Sequence, residues 1–200
     1  EFIVTAERCG LIGELGELIL TNACRKAVDW PEVSVAVNIS AVQFQQTDVV
    51  ALVERTLQAT GLPATRLEIE LTETALFGDE EMAANQIKRL RALGVAIALD
   101  DFGTGYSSLS LLRKFKFDRI KIDRSFIMDI EDSVEASAIV RSVISMATSL
   151  GAEVVGEGVE TVGQRLMLEA AGCTYLQGYH FGRPSTSSDT DRLLNKRLAA

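Results

Sequence analysis

The chain has 200 residues, of which 47% are hydrophobic and 24% charged, with a formal net charge of −8. That balance describes one domain spanning residues 1–200, long enough to bury a sizeable core. The acidic excess argues against a DNA or RNA binder, which needs a basic face, but allows a phosphate substrate if metal ions reverse the local field.

In chain order, Leu15, Leu18, Ile19, Ala23 and Ala27 recur at helical spacing and predict a helix over residues 15–28. A strand over 33–39 follows, then a helix over 49–60 stopped by Gly61-Leu62-Pro63. Next come a strand over 67–71 and a helix over 80–93 that Gly94 ends. A strand over 95–99 leads through a glycine-containing loop to a short helix at 109–114. A strand over 119–122 precedes a long helix over 135–150, and a strand over 153–156 precedes a helix over 162–171. The last strand is predicted at 175–179, and a polar turn leads into a terminal helix at about 188–199. No apolar run reaches the ~18–20 residues of a membrane span, and Glu1-Phe2-Ile3 lacks the basic start of a signal peptide. Cys9, Cys24 and Cys173 form no CxxC pair, so they read as reduced thiols in a cytoplasmic protein. The lone His180 reads as a packing or rim residue.

Strands separated by helical segments imply parallel strands with right-handed crossovers. Two α/β architectures fit: a TIM-like (β/α) barrel, here with about six of its βα units, or a doubly wound open sheet. The polar residues favour the barrel. Asn38, Glu70, Asp100, Lys121, Glu157 and Gln177 each fall near the C-terminal end of a predicted strand, on the face opposite its large apolar residues. Helices on both faces of an open sheet would bury these groups unpaired, whereas a barrel gathers them at one mouth.

Crowded carboxylates at Glu70, Asp100, Asp101 and Glu157 repel one another unless a cation intervenes. Oxygen donors from Asn, Asp and Glu suit Mg²⁺ or Mn²⁺ rather than zinc. The paired Asp100-Asp101 can serve two ions, which would hold a phosphate, activate a water and stabilise a leaving oxygen. Lys121 is placed to orient that water or offset transition-state charge; its plainer reading is a counter-ion for an acidic interior. The segment Asp101-Phe102-Gly103-Thr104-Gly105-Tyr106-Ser107-Ser108 reads as a closing loop, with an aromatic available to stack on a base.

These residues resemble the EAL-domain family. The resemblance is carried by Val37-Asn38-Ile39-Ser40, Glu70-Leu71-Thr72-Glu73, Asp100-Asp101-Phe102-Gly103-Thr104-Gly105-Tyr106-Ser107-Ser108-Leu109, Lys121-Ile122-Asp123-Arg124-Ser125-Phe126, Glu157-Gly158-Val159-Glu160-Thr161, Gln177-Gly178-Tyr179 and Phe181-Gly182-Arg183-Pro184. It implies an eight-stranded barrel that hydrolyses cyclic di-GMP to linear pGpG with Mg²⁺ or Mn²⁺ in bacterial signalling. By resemblance, Asn38, Glu70, Asp100, Asp101 and Glu157 are metal ligands, Lys121 orients the water, and Glu73 holds the Asp-Phe-Gly loop. Glu160 and Gln177 fall on further active-site positions, with Asp101 and Glu160 grouped with Lys121 as catalytic. Phe102, Gly103, Thr104, Gly105 and Tyr106 are expected to contact substrate.

The sequence contains no Glu-Ala-Leu tripeptide, the segment for which the family is named, and begins where the family has a following Glu-Phe-Ile-like stretch. The resemblance therefore implies that the first two strands, with a ligand glutamate and a substrate-binding arginine, are absent and that activity of these residues alone is impaired. It also implies upstream sensory or diguanylate cyclase-like domains. Open strand edges imply a homodimer or higher oligomer. Two other readings remain: a non-catalytic cyclic di-GMP receptor or protein-interaction module, and an unrelated metal-dependent barrel using Lys121 as base.

Overall fold

The structure is a computed structural model that describes residues 2–103 and 108–198. Helix α1 (Phe2–Arg8) leads into α2 (Ile12–Val28), which buries Ile12, Gly16, Leu20, Cys24 and Ala27 along one stripe. Strand β1 (Val35–Asn38) is followed by α3 (Ala41–Gln46), capped by the Ser40 hydroxyl, and α4 (Val49–Thr60), capped by Asp48. Strand β2 (Leu67–Thr72) runs into a single turn at Glu73–Leu76, then α5 (Glu80–Ala92) and β3 (Ala96–Phe102). Helix α6 (Ser108–Lys114), β4 (Arg119–Ile122) and the short α7 (Arg124–Met128) come next. Helix α8 (Val134–Ser149), β5 (Glu153–Gly156), α9 (Val162–Ala170), β6 (Tyr175–Leu176) and α10 (Ser187–Leu198) complete the chain. The Thr161 hydroxyl and the Gln164 side chain close a reciprocal cap at the start of α9.

All neighbouring strands pair in parallel, in the sequential order β1-β2-β3-β4-β5-β6, which makes a TIM-like half-barrel. Apolar side chains pointing to the helices, among them Val37, Ile69, Leu71, Ile97, Leu99, Ile120, Ile122 and Val154, form one core with Leu20, Val53, Ile87, Leu90, Val140 and Ile144. Fully burying each such Leu or Ile is worth roughly 1.5–3 kcal/mol, so this layer holds the sheet. The opposite face carries Glu68, Glu70, Asp100, Arg119 and Lys121, ion-paired with one another; its buried Ala98 and Val155 lie outside that core. Helices on both faces would have left these charges unpaired, so the doubly wound sheet is ruled out.

Three differences from the sequence reading have local causes. Helices α1, α3 and α7 are seven, six and five residues long, too short for a periodic apolar stripe to register. The strand expected over 175–179 shrinks to Tyr175–Leu176. Past it, Gln177 N–H still donates to Gly156 O (2.8 Å), but Phe181 N–H then bonds Gly178 O (3.0 Å) and the chain turns away. Strand β3 extends beyond residue 99 to Phe102 through an irregularity: Leu99 pairs with Ile120 but Phe102 with Ile122, so β3 carries one extra residue. Among the described residues, no helix is long and apolar enough to cross a membrane.

Candidate metal centre

The bulge in β3 shapes the site. Asp101 sits at φ +53°, the one non-glycine residue at positive φ among those described, and this left-handed step lets two adjacent aspartates serve one place. Carboxylate oxygens of Asp100, Asp101 and Glu157 lie within 4.8 Å of one another. Asp100 stands at the end of β3, opposite Thr72 of β2, and Glu157 follows β5. Such an oxygen-only set, with one buried member, suits hard divalent cations.

Lys121 binds the acids together from β4. Its Nζ lies 2.8 Å from Glu70 Oε2, 2.9 Å from Asp100 Oδ1 and 2.8 Å from Glu157 Oε1, and the residue is only 4% exposed. Burial alone would lower its pKa, but hydrogen bonds to Glu157 and Glu70 and their charges outweigh that and raise it. Held among these acids, Lys121 favours its protonated form, which does not suit a neutral-pH base. Burial pushes the Glu157 carboxyl up, against the pull of Lys121. Burial, then the charges of Asp100 and Asp123, raise Asp101.

The other expected site residues divide. Asn38 is the register partner of Glu70 and is exposed at the edge strand. Glu73 is buried in the turn after β2, and its Oε1 accepts the Gly103 N–H at 3.2 Å. Gln177 is exposed and continues the β5–β6 pairing through its backbone. The Glu160 carboxylate pairs with Arg124 at 3.0 Å, outside the Asp100–Asp101–Glu157 group. Phe102, expected to contact substrate, turns its ring into the core after the bulge and is 4% exposed. Thr104, Gly105 and Tyr106 lie outside the described residues.

One feature on the same face escaped the sequence reading. A layer below Glu70 and Lys121, Arg119 pairs with Glu68 and with Glu153 (3.0 Å) and lies 4.7 Å over the Tyr175 ring. Tyr175 donates its hydroxyl to Glu153 Oε1 at 3.3 Å. Burial raises the Glu68 carboxyl despite Arg119. The signal was available, since Glu68 and Glu70, and Arg119 and Lys121, are separated by the period of a strand.

The EAL domain family model matches residues 1–184. Cyclic di-GMP phosphodiesterase NbdA of Pseudomonas aeruginosa is 42% identical over 92% of this chain and 24% of its own length. The chain spans about a quarter of the length of the curated relatives it matches. The PaMucR phosphodiesterase in complex with c-di-GMP superposes with a TM-score of 0.89 at 36% identity, over 94% of this chain and 78% of that one. BlrP1 of Klebsiella pneumoniae, solved as a manganese/cy-diGMP complex, gives a TM-score of 0.81 at 34% identity, over 87% of this chain and 45% of that one.

Proposed function

The chain belongs to the EAL domain family, and on that premise we propose that its site hydrolyses one phosphodiester of cyclic di-GMP to linear pGpG, with Mg²⁺ or Mn²⁺, in a cytoplasmic signalling protein. The carrying observation is the convergence of Asp100, Asp101 and Glu157 on one point, with Lys121 among them. Those three carboxylates would hold the ions, with Glu70 and Asn38 beside them. Bound divalent ions would supply an activated water and neutralise phosphate charge. Hydrolysis places the water oxygen on phosphorus and one of its protons on the departing ribose oxygen. Lys121 keeps its own proton throughout; its ammonium orients the attacking water and offsets charge gathering on phosphorus. Glu73 fixes the turn after Asp101, and Glu160 acts through Arg124 on the turn after Glu157. Manganese in the BlrP1 complex and c-di-GMP in the PaMucR complex support the same ligands here. The relatives' greater length supports further signalling domains in the whole protein.

The test is product analysis of cyclic di-GMP incubated with this chain and Mn²⁺ or Mg²⁺. Linear pGpG is expected, formed more slowly than by a longer chain that gives β1 a second neighbour. Lys121→Ala is expected to lower kcat by about 10³-fold, the scale of removing one positioned electrostatic donor. Calorimetric binding with no product from either chain would leave a receptor, and absence of binding would overturn the reading altogether.

A further inference from the structure

We propose that α7 is a strut that sets the spacing between the two turns bearing the acidic ligands, with Phe126 and Arg124 as its positioning residues; this rests on reading the site as a metal centre. Helix α7 begins one residue after β4, where Asp123 caps it through Ser125 N–H (3.0 Å), and Ile127 anchors it in the core at 0% exposure.

On one side the Phe126 ring lies flush against Gly103, directly after Asp100-Asp101-Phe102. A Cβ on Gly103 would fall 2.8 Å from the ring, and the backbone there has φ +98°. The Glu73 carboxylate takes the Gly103 N–H from the other side, so the turn is gripped between β2 and α7. On the far side, the Arg124 stem lies on Gly158 (φ +69°), where any Cβ would collide with it. Its guanidinium pairs with Glu160 at 3.0 Å. The Gln164 side chain accepts the N–H groups of Glu160 (2.8 Å) and Thr161 (3.1 Å) and reaches back to Met128 O at 3.5 Å. Glu131, just beyond α7, accepts the Thr161 hydroxyl at 2.5 Å.

One five-residue helix thus touches the turn after Asp101 and the turn after Glu157 while hanging from the strand that carries Lys121. An exposed Arg–Glu pair adds little stability by itself. Here it closes a turn whose side chain belongs to the Asp100–Asp101–Glu157 group, and supporting contacts of this kind typically change metal affinity 10–100-fold.

The experiment is a Mn²⁺ titration of the whole chain, following the free-ion electron paramagnetic resonance signal, with metal-free thermal melts alongside. Phe126→Ala and Arg124→Ala are each expected to weaken Mn²⁺ binding about tenfold or more, and Phe126→Leu to restore most of it. Ile144→Val, in the α8 core away from the turns, is expected to lower the melting temperature with unchanged Mn²⁺ affinity. If Phe126→Leu and Arg124→Ala melt like the parent and Arg124→Ala binds Mn²⁺ with parental affinity, the strut is overturned while the metal site stands. If Phe126→Ala does not fold, Arg124→Ala alone decides. If the parent chain binds no Mn²⁺, the metal reading falls and the strut with it.

Discussion

At the scale of single residues, the site is over-supplied with negative charge. Lys121 is the one cation within ion-pair distance of Glu70, Asp100 and Glu157 among the described residues, and Asp101 adds a further carboxylate from a left-handed backbone position. Without metal this arrangement costs stability, which is a common price of a preorganised site. Asp101 and Glu157 both have pKa values raised by burial first. The folded state therefore holds their protons more tightly than the unfolded chain. Protonation favours folding, and this contribution fades as pH rises through the raised values. Lys121 works in the opposite range: its contribution is present below its ordinary pKa and is lost only at strongly alkaline pH. Asp101→Asn removes one repelling charge and tolerates positive φ well. It is expected to raise the metal-free melting temperature at pH 7 by a few degrees, with the gap to the parent narrowing at pH 4, where the ordinary aspartate range is reached. The same variant is expected to lose the melting-temperature gain that Mn²⁺ gives the parent. Differential scanning calorimetry at both pH values, with and without Mn²⁺, checks this; a lower metal-free melting temperature at pH 7 would contradict the charge account. The identities of these acids were legible from period-two alternation. The fate of Phe102 was not, because the bulge at Asp100-Asp101 depends on a backbone conformation at a non-glycine residue, which leaves no mark in the sequence pattern.

At the scale of elements, the polar face of the sheet is tiered. The upper tier joins β2, β3, β4 and β5 through Lys121; the lower joins β2, β4, β5 and β6 through Arg119. Glu68 is 5% exposed, so removing its partner leaves a buried, uncompensated charge. Arg119→Met is expected to destabilise the fold by about 2 kcal/mol, below the range for fully buried pairs because Arg119 reaches water. The double variant Arg119→Met with Glu68→Gln is expected to recover about half of that, since the lone charge is gone. Urea denaturation of both variants and the two singles measures the coupling, and strict additivity would show that the lower tier holds nothing together. The long helices were legible because their apolar residues recur over several turns, as in α2, and because Gly61 and Gly94 stop α4 and α5. Helix α7 was not, although Lys121-Ile122-Asp123-Arg124-Ser125-Phe126 was noticed as a motif. Its five residues are held by tertiary contacts to Gly103 and Gly158, which no local period encodes.

At the scale of the whole molecule, alternating strands and helices made the parallel sheet legible, and the segregation of charge to one face selected the half-barrel over the doubly wound sheet. That same topology leaves β1 and β6 each hydrogen-bonded to a single neighbour among the described residues. Edge β1 is the more exposed hazard. Val35-Ala36-Val37-Asn38 carries no charge and no proline, and Ala36 and Asn38, in register with Glu68 and Glu70 on the polar face, are exposed. An unpaired edge of this kind offers free N–H and C=O groups to another strand. Residues 1–200 on their own are therefore expected to self-associate, with a sedimentation coefficient that rises with protein concentration. A lysine on the edge strand opposes pairing by placing like charges together when two copies meet. Ala36→Lys is expected to hold the chain monomeric over the same concentrations, with little change in melting temperature because Ala36 packs against nothing in the core. A parent chain that stays monomeric throughout would show that β1 is already protected, and association unchanged by Ala36→Lys would move the contact to the exposed apolar residues of α2, Leu18 and Ile19.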